Sequence, residues 1–318
     1  MTDFVHLHLH TEYSLLDGAA KVDDLIDFLV KNKIDTCAVT DHGNMYASLY
    51  FAEECVKKGI KYIIGCELYA VDDHLDKKFG VKNEHIVLLA KNKQGYKNIV
   101  KLDSLSYIDG YYGGKPRISY DLIKQYHEGV ICLSACLAGR IPQLLLKGDY
   151  EGAKKFAAEM KEVYGDDFYI ELQDHGIAEQ KQIIPELMQI ARELDIGLVA
   201  TNDVHYIEKE DWEAQDILLC IQTKSTLAAP KMKFETHEFY MKSGDEMAEL
   251  FHYVPEAISN TRAIANKIEE PVFDLTPKGD PIRDTSLIPL YKPDDGTTSP
   301  EYLTNLTWKG LPGRYANI

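Results

Sequence analysis

Short apolar runs alternate with longer segments of helical spacing along most of the chain, and this alternation limits the possible folds more than any other feature. Up to residue 201 there are six or seven rounds. After an opening strand, the predicted strands are residues 35–40, 61–64, 85–90, 130–135, 168–172 and 197–201. The predicted helices are residues 22–32, 46–58, 93–105, 138–147, 150–163 and 178–195. This pattern predicts an α/β fold with a parallel sheet covered by helices, and the number of rounds favours a closed barrel over an open sheet.

The alternation stops after residue 208, where two further helices are predicted. They cover residues 210–222 and 244–268, and the second begins with a capping box formed by Ser243 and Glu246. Inside the barrel region, the glycine-rich stretch DGYYGGKPRIS is predicted to form a loop or hairpin.

Proline and aspartate dominate the segment that follows the predicted helices, which predicts an extended connector up to residue 300. A short helix is then predicted over residues 300–308. We therefore expect two parts: residues 1–270, the barrel with its C-terminal helices, and residues 271–318, the connector with the start of a further region.

Charge, cysteine content and hydropathy exclude several classes of protein. The formal charge is −16, whereas a free-standing, sequence-independent nucleic-acid binder should be positive. An enzyme acting on phosphates is not excluded, because bound divalent cations reverse the local field. The six cysteines show no CxxC spacing, which predicts reduced thiols. With no run of 18 apolar residues and no signal region at the start, we expect a cytoplasmic protein without a membrane partner.

The opening sequence MTDFVHLHLHTEYSLLDG is the first candidate for a functional site. If it forms a strand, His6, His8 and His10 point to one face. Neutral imidazole is the commonest metal ligand in proteins, and Asp17 follows closely enough to add an oxygen ligand. The alternative is a histidine-rich surface strand.

Residue types that bind metals recur near the ends of the later predicted strands. They are Asp41, His42, Glu67, His85, Cys136, Glu171, Gln173, Asp203 and His205. Each has an ordinary alternative explanation, such as a turn, a helix cap or a small core residue. Together with His8 and His10 they indicate one shared site, because a β/α barrel gathers its active site at the C-terminal ends of its strands.

The mixture of imidazole and carboxylate donors favours zinc, manganese or iron over an all-sulfur structural site. So many donors exceed one tetrahedral ion and suit two or three clustered ions, which activate a water and clamp a phosphate ester. Arg140 is a candidate for holding the phosphate, although an ordinary helix-end arginine is an equal alternative.

The motifs HLHLHT, TDHG, GCE, EHIVLLA, SACLAGR, YIELQDHG and TNDVHY occur in this order, and the chain resembles the PHP (polymerase and histidinol phosphatase) family. It is similar in particular to the N-terminal domain of alpha subunits of bacterial DNA polymerase III, as FHYVPEAISNTRAIANKIE and SPEYLTNLTWKGLPGRY also indicate. The resemblance implies a distorted, seven-stranded TIM-like barrel with a helical C-terminal extension. It also implies a role in DNA replication beside the rest of an alpha subunit and other replisome subunits.

The resemblance implies three groups of metal ligands and leaves His6 as a non-ligand. The first group is His8, His10, Glu67 and Asp203. The second is Glu67, His85 and Cys136, where many family members have histidine in place of the cysteine. The third is Asp17, His42 and His205.

The leading functional hypothesis is a metal-dependent phosphoesterase that acts as a 3′→5′ exonuclease on a DNA 3′ end through a metal-activated water. His8, His10, Glu67, Asp203 and His205 are the expected catalytic residues, and Arg140 and His175 the expected substrate contacts. The alternatives are a small-molecule phosphomonoesterase and a silent scaffold braced by metals. DNA synthesis is not expected of this chain alone, since no segment matches a polymerase palm.

Overall fold

The computed structural model describes residues 2–78, 80–269, 271–282 and 291–315 of the 318-residue chain. The chain divides into two compact units, Met1–Pro281 and Ile282–Ile318. Residues 283–290, in the predicted connector, lie outside the described residues. No described helix is both long enough and apolar enough to cross a membrane.

The first unit is built on a curled, seven-stranded sheet. Its strands are β1 (Thr36–Val39), β2 (Lys61–Val71), β3 (Glu84–Ala90), β4 (Arg117–Ser119), β5 (Val130–Leu133), β6 (Phe168–Leu172) and β7 (Gly197–Ala200). They follow the order β1-β2-β3-β5-β6-β7, and the short β4 pairs with β2 off this path. The predicted α/β fold class is confirmed. β4, which lies within the predicted glycine-rich loop, was missed.

The sheet is mixed, whereas the alternation predicted a parallel one. β3 runs antiparallel to both of its neighbours, β2 and β5, and the other pairs are parallel. A parallel neighbour needs a crossover connection, usually a helix. The described residues between β2 and β3 contain no helix, so the chain turns back beside β2.

The opening segment closes the barrel without forming the regular strand that was predicted. The backbone N–H of Ala38 donates to the carbonyl of His6 at 2.9 Å, which joins the segment to β1. On its other side, the N–H of His10 donates to the carbonyl of Val204 at 2.7 Å, just past β7. The chain bends at His8, so the strict alternation of side chains is lost there.

The helices of the first unit lie at or near most of the predicted positions. They are α1 (Val22–Lys31), α2 (Ser48–Lys58), α3 (Lys93–Ile108), α4 (Tyr120–Gln125), α5 (Arg140–Leu146), α6 (Tyr150–Tyr164), α7 (Ala178–Leu194), α8 (Trp212–Thr223), α9 (Gly244–Leu250) and α10 (Pro255–Asn266). Short 3₁₀ turns occupy Gly165–Asp167 and Lys209–Asp211. The helix predicted over residues 244–268 is two helices, because the residue before a proline disfavours the helical conformation and Val254 adopts φ −144°.

The barrel interior is filled at one end by apolar side chains from the opening segment, from every strand on the path and from α10. Helix α10 covers the end where the parallel strands begin: Arg262 pairs with Asp35, just before β1, and Lys61 at the start of β2 donates to the carbonyl of Ala265. The opposite end, where the parallel strands finish, is left for polar side chains.

The second unit contains α11 (Ser299–Tyr315) within its described residues. The predicted helix over residues 300–308 is therefore present and longer than expected. The backbone N–H of Glu301 donates to the hydroxyl oxygen of Thr298 at 3.5 Å and the N–H of Thr298 donates to the Glu301 carboxylate at 2.9 Å, which together cap the N-terminus of α11.

Candidate metal centre

The polar cluster lies at the end of the barrel where the parallel strands finish, and two features of β2 and β3 bring it together. β2 is longer than predicted, so Glu67 lies within it and pairs with His42 through a backbone bridge. His85 is at the beginning of β3, and because β3 is antiparallel this beginning lies beside the ends of the other strands.

Four side chains meet at the centre of the cluster: the imidazoles of His8 and His10 and the carboxylates of Glu67 and Asp203. The Nε2 atoms of His8 and His10 lie 3.1 Å apart, and they are 3.2 and 3.1 Å from Oδ1 of Asp203. They are also 3.4 and 3.5 Å from the two carboxylate oxygens of Glu67. Ligands about 2.1 Å from one ion at tetrahedral angles lie about 3.4 Å apart. The donors of His8, His10 and Asp203 therefore have the spacing expected of ligands to one divalent cation, and Glu67 lies beside them.

The buried carboxylate oxygens of this cluster face ring nitrogens or have no partner. Oε2 of Glu67 and Oδ1 of Asp203 contact histidine nitrogens, and within the described part of the chain Oδ1 of Asp17 is buried without a hydrogen bond. A buried carboxylate without a hydrogen bond is costly unless a cation compensates it. The donor set and these oxygens fit divalent cations.

The remaining donors lie on either side of Glu67. On one side, His85 Nδ1 is 3.0 Å from Oε1 of Glu67, and Cys136 Sγ is 3.7 Å from His85 Nδ1. On the other, His42 Nδ1 is 2.6 Å from Oε2 of Glu67 and its Nε2 is 3.2 Å from Asp17. Ring nitrogens of His42, His10 and His205 also lie within 4.8 Å of one another. All nine predicted ligands therefore lie in one continuous cluster.

Hydrogen bonds to the second ring nitrogen orient three of the histidines. Nδ1 of His8 lies 2.6 Å from Glu171, and Nδ1 of His205 lies 2.7 Å from the carbonyl of Asp203. Nδ1 of His10 is 3.2 Å from Ser14. A proton on each Nδ1 would donate to the oxygen beside it, which would leave the Nε2 lone pair for a cation.

Glu171, which is not one of the nine, and the backbone conformation of Asp203 support this arrangement. Glu171 also accepts from Gln173 at 2.9 Å and from Thr201, so its carboxylate is fixed. Asp203 adopts φ 44°, a left-handed conformation that side chains rarely take. Sequence reasoning placed Glu171 at a strand end but gave it no role; the FYIEL alternation, which puts Tyr169, Glu171 and Gln173 on one face, was the available signal.

The electrostatics keep the carboxylates ionised and one histidine neutral. Burial opposes ionisation of Glu67, yet the surrounding histidines hold its pKa well below the usual value, and they do the same for Asp203. Burial, with His42 and His205 beside it, lowers the pKa of His10 to about 3. Burial and the nearby carboxylates raise the pKa of the Cys136 thiol well above its usual value. A cation would have to displace the proton of this thiol.

Arg140 and His175, the two expected substrate contacts, are placed differently from the nine predicted metal ligands. Arg140 lies at the start of α5, where its guanidinium forms ion pairs with Glu84 at 2.6 Å and Asp72 at 2.7 Å. Two carboxylates already neutralise it, which does not favour a role in holding phosphate.

The His175 ring has no exposed surface. It stacks on Phe239 at 3.9 Å, and its nitrogens hydrogen-bond to Asn202 and Gln180. This packing does not favour the expected substrate contact of His175, because the buried ring braces the loop that carries Asp203.

His6 lies apart from the cluster. Its Nε2 donates to the carbonyl of Lys242 at 2.8 Å and its ring packs edge-on against Phe4. The bend at His8 separates it from the other two histidines, which agrees with the non-ligand role that the resemblance implied.

Comparison with known proteins places the chain in a family. The family described as "PHP domain" matches residues 6–175. The chain is 45% identical over 321 residues to the DNA polymerase III subunit alpha of Borreliella burgdorferi and 44% identical over 322 residues to that of Treponema pallidum. Each match covers 99% of this chain and 27% of the relative, so the chain spans about a quarter of their length. An amidohydrolase structure from Chromobacterium violaceum aligns at 14% identity with a TM-score of 0.38, covering 67% of this chain and 96% of that one. The chain belongs to the PHP domain family.

Proposed function

We propose that the chain is a metal-dependent phosphoesterase that removes nucleotides from the 3′ end of DNA, as part of a bacterial DNA polymerase III alpha subunit. The observation that carries this proposal is the convergence on Glu67. Its two oxygens lie within 3.5 Å of nitrogens from His8, His10, His42 and His85, contributed by separate segments. One carboxylate facing donors on all sides is suited to bridging clustered cations.

Three groups of residues would hold these cations. They are His8, His10, Glu67 and Asp203; Glu67, His85 and Cys136; and Asp17, His42 and His205. Bound zinc, manganese or iron would supply Lewis acidity, lower the pKa of a bound water and offset the charge of a phosphodiester. The relatives named above are polymerase alpha subunits, which supports DNA as the substrate and the rest of such a subunit and other replisome proteins as partners in the cytoplasm.

The chain's own residues orient the donors. Glu171 holds a proton on Nδ1 of His8, and the carbonyl of Asp203 holds one on Nδ1 of His205. The reaction adds water across the terminal phosphodiester. The bond from phosphorus to the 3′ oxygen of the penultimate nucleotide breaks, that oxygen takes a proton, and the last nucleotide leaves with its 5′-phosphate. Residues 1–270 are the proposed catalytic domain and residues 271–318 the connector.

A metal-braced scaffold is the second candidate, and one observation favours it. The cluster joins the opening segment, which closes the barrel, to β2, β3 and the segment after β7. Cations held there would stabilise the fold whether or not they act in catalysis.

The deciding experiment is a hydrolysis assay on the purified chain with manganese or zinc. A 5′-labelled oligonucleotide should shorten from its 3′ end, while one blocked at the 3′ end should stay intact. Asp203→Asn should abolish cleavage, and Asp24→Asn, an exposed position on α1, should not. Cleavage of a phosphate monoester alone would indicate the phosphatase. Metal binding without cleavage of either substrate would support the metal-braced scaffold instead.

A further inference from the structure

A cavity of about 160 Å³ opens beside the cluster, and several of its lining residues are not among the predicted metal ligands. Asp17 and His42 line its inner side. Lys115, Tyr46, Tyr69 and Tyr107 are among its other lining residues. A substrate that reaches the cluster through this cavity would meet these four side chains.

Lys115 is held in position by a tight hairpin. Tyr112 and Lys115 exchange backbone hydrogen bonds of 3.0 and 3.2 Å across Gly113 and Gly114, which both have positive φ. This is the two-residue turn that glycine pairs favour. The hairpin also packs on the TDHG loop, since a Cβ on Gly43 would come within 2.9 Å of Pro116.

The ammonium group of Lys115 faces the cavity with a neutral partner. It donates to the hydroxyl of Tyr69 at 2.7 Å and lies 4.4 Å from the centre of that ring. Among the described residues, no carboxylate lies within ion-pair distance of it, in contrast to Arg140 with its two. A partly buried cation without an ion-pair partner, next to an acidic cluster, is free to bind an anion.

The outer wall of the cavity is aromatic. Tyr46 is 58% exposed and Tyr107 is 39% exposed. Tyr107 stacks on Tyr111 with ring centres 6.0 Å apart. Exposed rings beside a cationic group are the arrangement that binds unpaired bases along a phosphate backbone.

We propose that Lys115, positioned by Tyr69, contacts the phosphate of the last nucleotide of single-stranded DNA while the base stacks on Tyr46 and Tyr107. The inference rests on the proposed function, since it names the residues that would deliver the 3′ end to the cluster. It assigns the phosphate contact to Lys115 in place of Arg140. Tyr69 is a positioning residue in this arrangement.

The test compares Lys115→Met and Lys115→Arg with Lys101→Met, which changes an exposed lysine on α3. Binding is measured by the anisotropy of a short 5′-labelled oligonucleotide whose 3′ linkages are phosphorothioates that resist cleavage. Hydrolysis of a normal oligonucleotide gives KM and kcat. Loss of a charged hydrogen bond should weaken binding and raise KM by about tenfold or more, with little change in kcat. Lys115→Arg should recover part of this loss.

A second pair of variants separates the base contact from the phosphate contact. Tyr46→Leu should raise KM for the oligonucleotide, and should raise it much less for an oligonucleotide whose last nucleotide is abasic and offers no ring to stack. Tyr253→Leu, at another exposed tyrosine, should alter neither. Lys115→Met should impair both substrates.

The outcomes keep the two proposals apart. If the wild-type chain does not cleave but Lys115→Met still weakens oligonucleotide binding, the exonuclease proposal fails and the Lys115 contact stands. If the chain cleaves and Lys115→Met behaves like Lys101→Met in binding and KM, the Lys115 contact is overturned and the exonuclease stands. Thermal unfolding of each variant shows whether a loss reflects the site or the fold.

Discussion

The carboxylate of Glu171 lies 2.6 Å from Nδ1 of His8, and this contact directs the opposite nitrogen of the ring towards Glu67 and Asp203. Neither residue is exposed, so the carboxylate has no competing water. The pair has the form of a carboxylate–histidine–metal relay, in which the outer carboxylate fixes the tautomer of the ligand.

Glu171→Gln is therefore expected to weaken metal binding without removing a ligand. The amide can accept a hydrogen bond but carries no charge, and such outer partners are typically worth about 10–100-fold in affinity. Calorimetric titration with manganese measures this. Glu179→Gln, at an exposed position in the first turn of α7, is the matched control. Equal affinities of the two variants would contradict the role of Glu171.

Cys136 should bind soft ions more tightly as pH rises. Burial first, and then the carboxylates of Glu67 and Asp203, raise the pKa of this thiol, so at neutral pH the proton must leave when a cation binds. Titration with cobalt(II) should show a thiolate charge-transfer band whose apparent affinity increases with pH.

Cys136→Ser should lose this cobalt band, while Cys220→Ser in α8 should keep it. Cys136→His should lose the band but still bind manganese, because imidazole is a common ligand for that ion. A band that survives in Cys136→Ser would show that the sulfur does not bind.

Hydrophobic periodicity located the strand ends and turns near which the nine residues lie, whereas the resemblance to the PHP family separated them from Asp41, Glu171 and Gln173. The direction of β3 was not predictable in this way, since periodicity marks a strand without giving its neighbours. His85 was expected in the site as a residue near the end of a parallel strand. It lies there because it begins the antiparallel strand β3.

Contacts between residues far apart in sequence explain the other differences. Arg140 was a reasonable phosphate ligand until the fold placed Glu84 and Asp72 against it. His175 has the residue type of a proton donor, but packing against Phe239 and Gln180 removed its surface. Lys115 gave no signal of its own, because only the tertiary structure places the glycine-rich hairpin beside His42.

Gly65→Ala is expected to disturb both stability and the cluster. A Cβ at this position of β2 would lie 2.5 Å from the carbonyl oxygen of Leu88 in β3, a backbone atom that cannot move aside cheaply. Overpacking of this kind typically costs about 1–3 kcal/mol. Because the strands would separate two residues before Glu67, its 3.0 Å contact with His85 should also be strained.

The measurements for Gly65→Ala are thermal unfolding and manganese affinity. Gly310→Ala in α11 is the control, since nothing lies within 4 Å of its added Cβ and alanine favours a helix. Gly65→Ala with wild-type stability would show that β2 and β3 can separate freely at this point.

Asp103 on α3 should make the stability of the barrel fall as pH rises towards neutrality. Burial raises the pKa of its carboxyl group to about 7, and among the described residues its Oδ1 has no hydrogen-bond partner. A carboxyl group whose pKa is raised on folding holds its proton more tightly in the folded state. Its contribution is therefore fully present below the unfolded pKa, near 4, and is lost as pH rises through about 7.

Asp103→Asn removes this titration, because an amide stays neutral at every pH in the range. The free energy of unfolding of the variant, relative to wild type, should increase between about pH 4 and about pH 8 by an amount on the order of 2–4 kcal/mol. Urea unfolding at a series of pH values measures the difference, and Asp24→Asn at an exposed position on α1 provides the comparison. A difference between Asp103→Asn and wild type that stays constant with pH would mean that Asp103 is ionised in the folded protein throughout, with a cationic or hydrogen-bonding partner that compensates its burial.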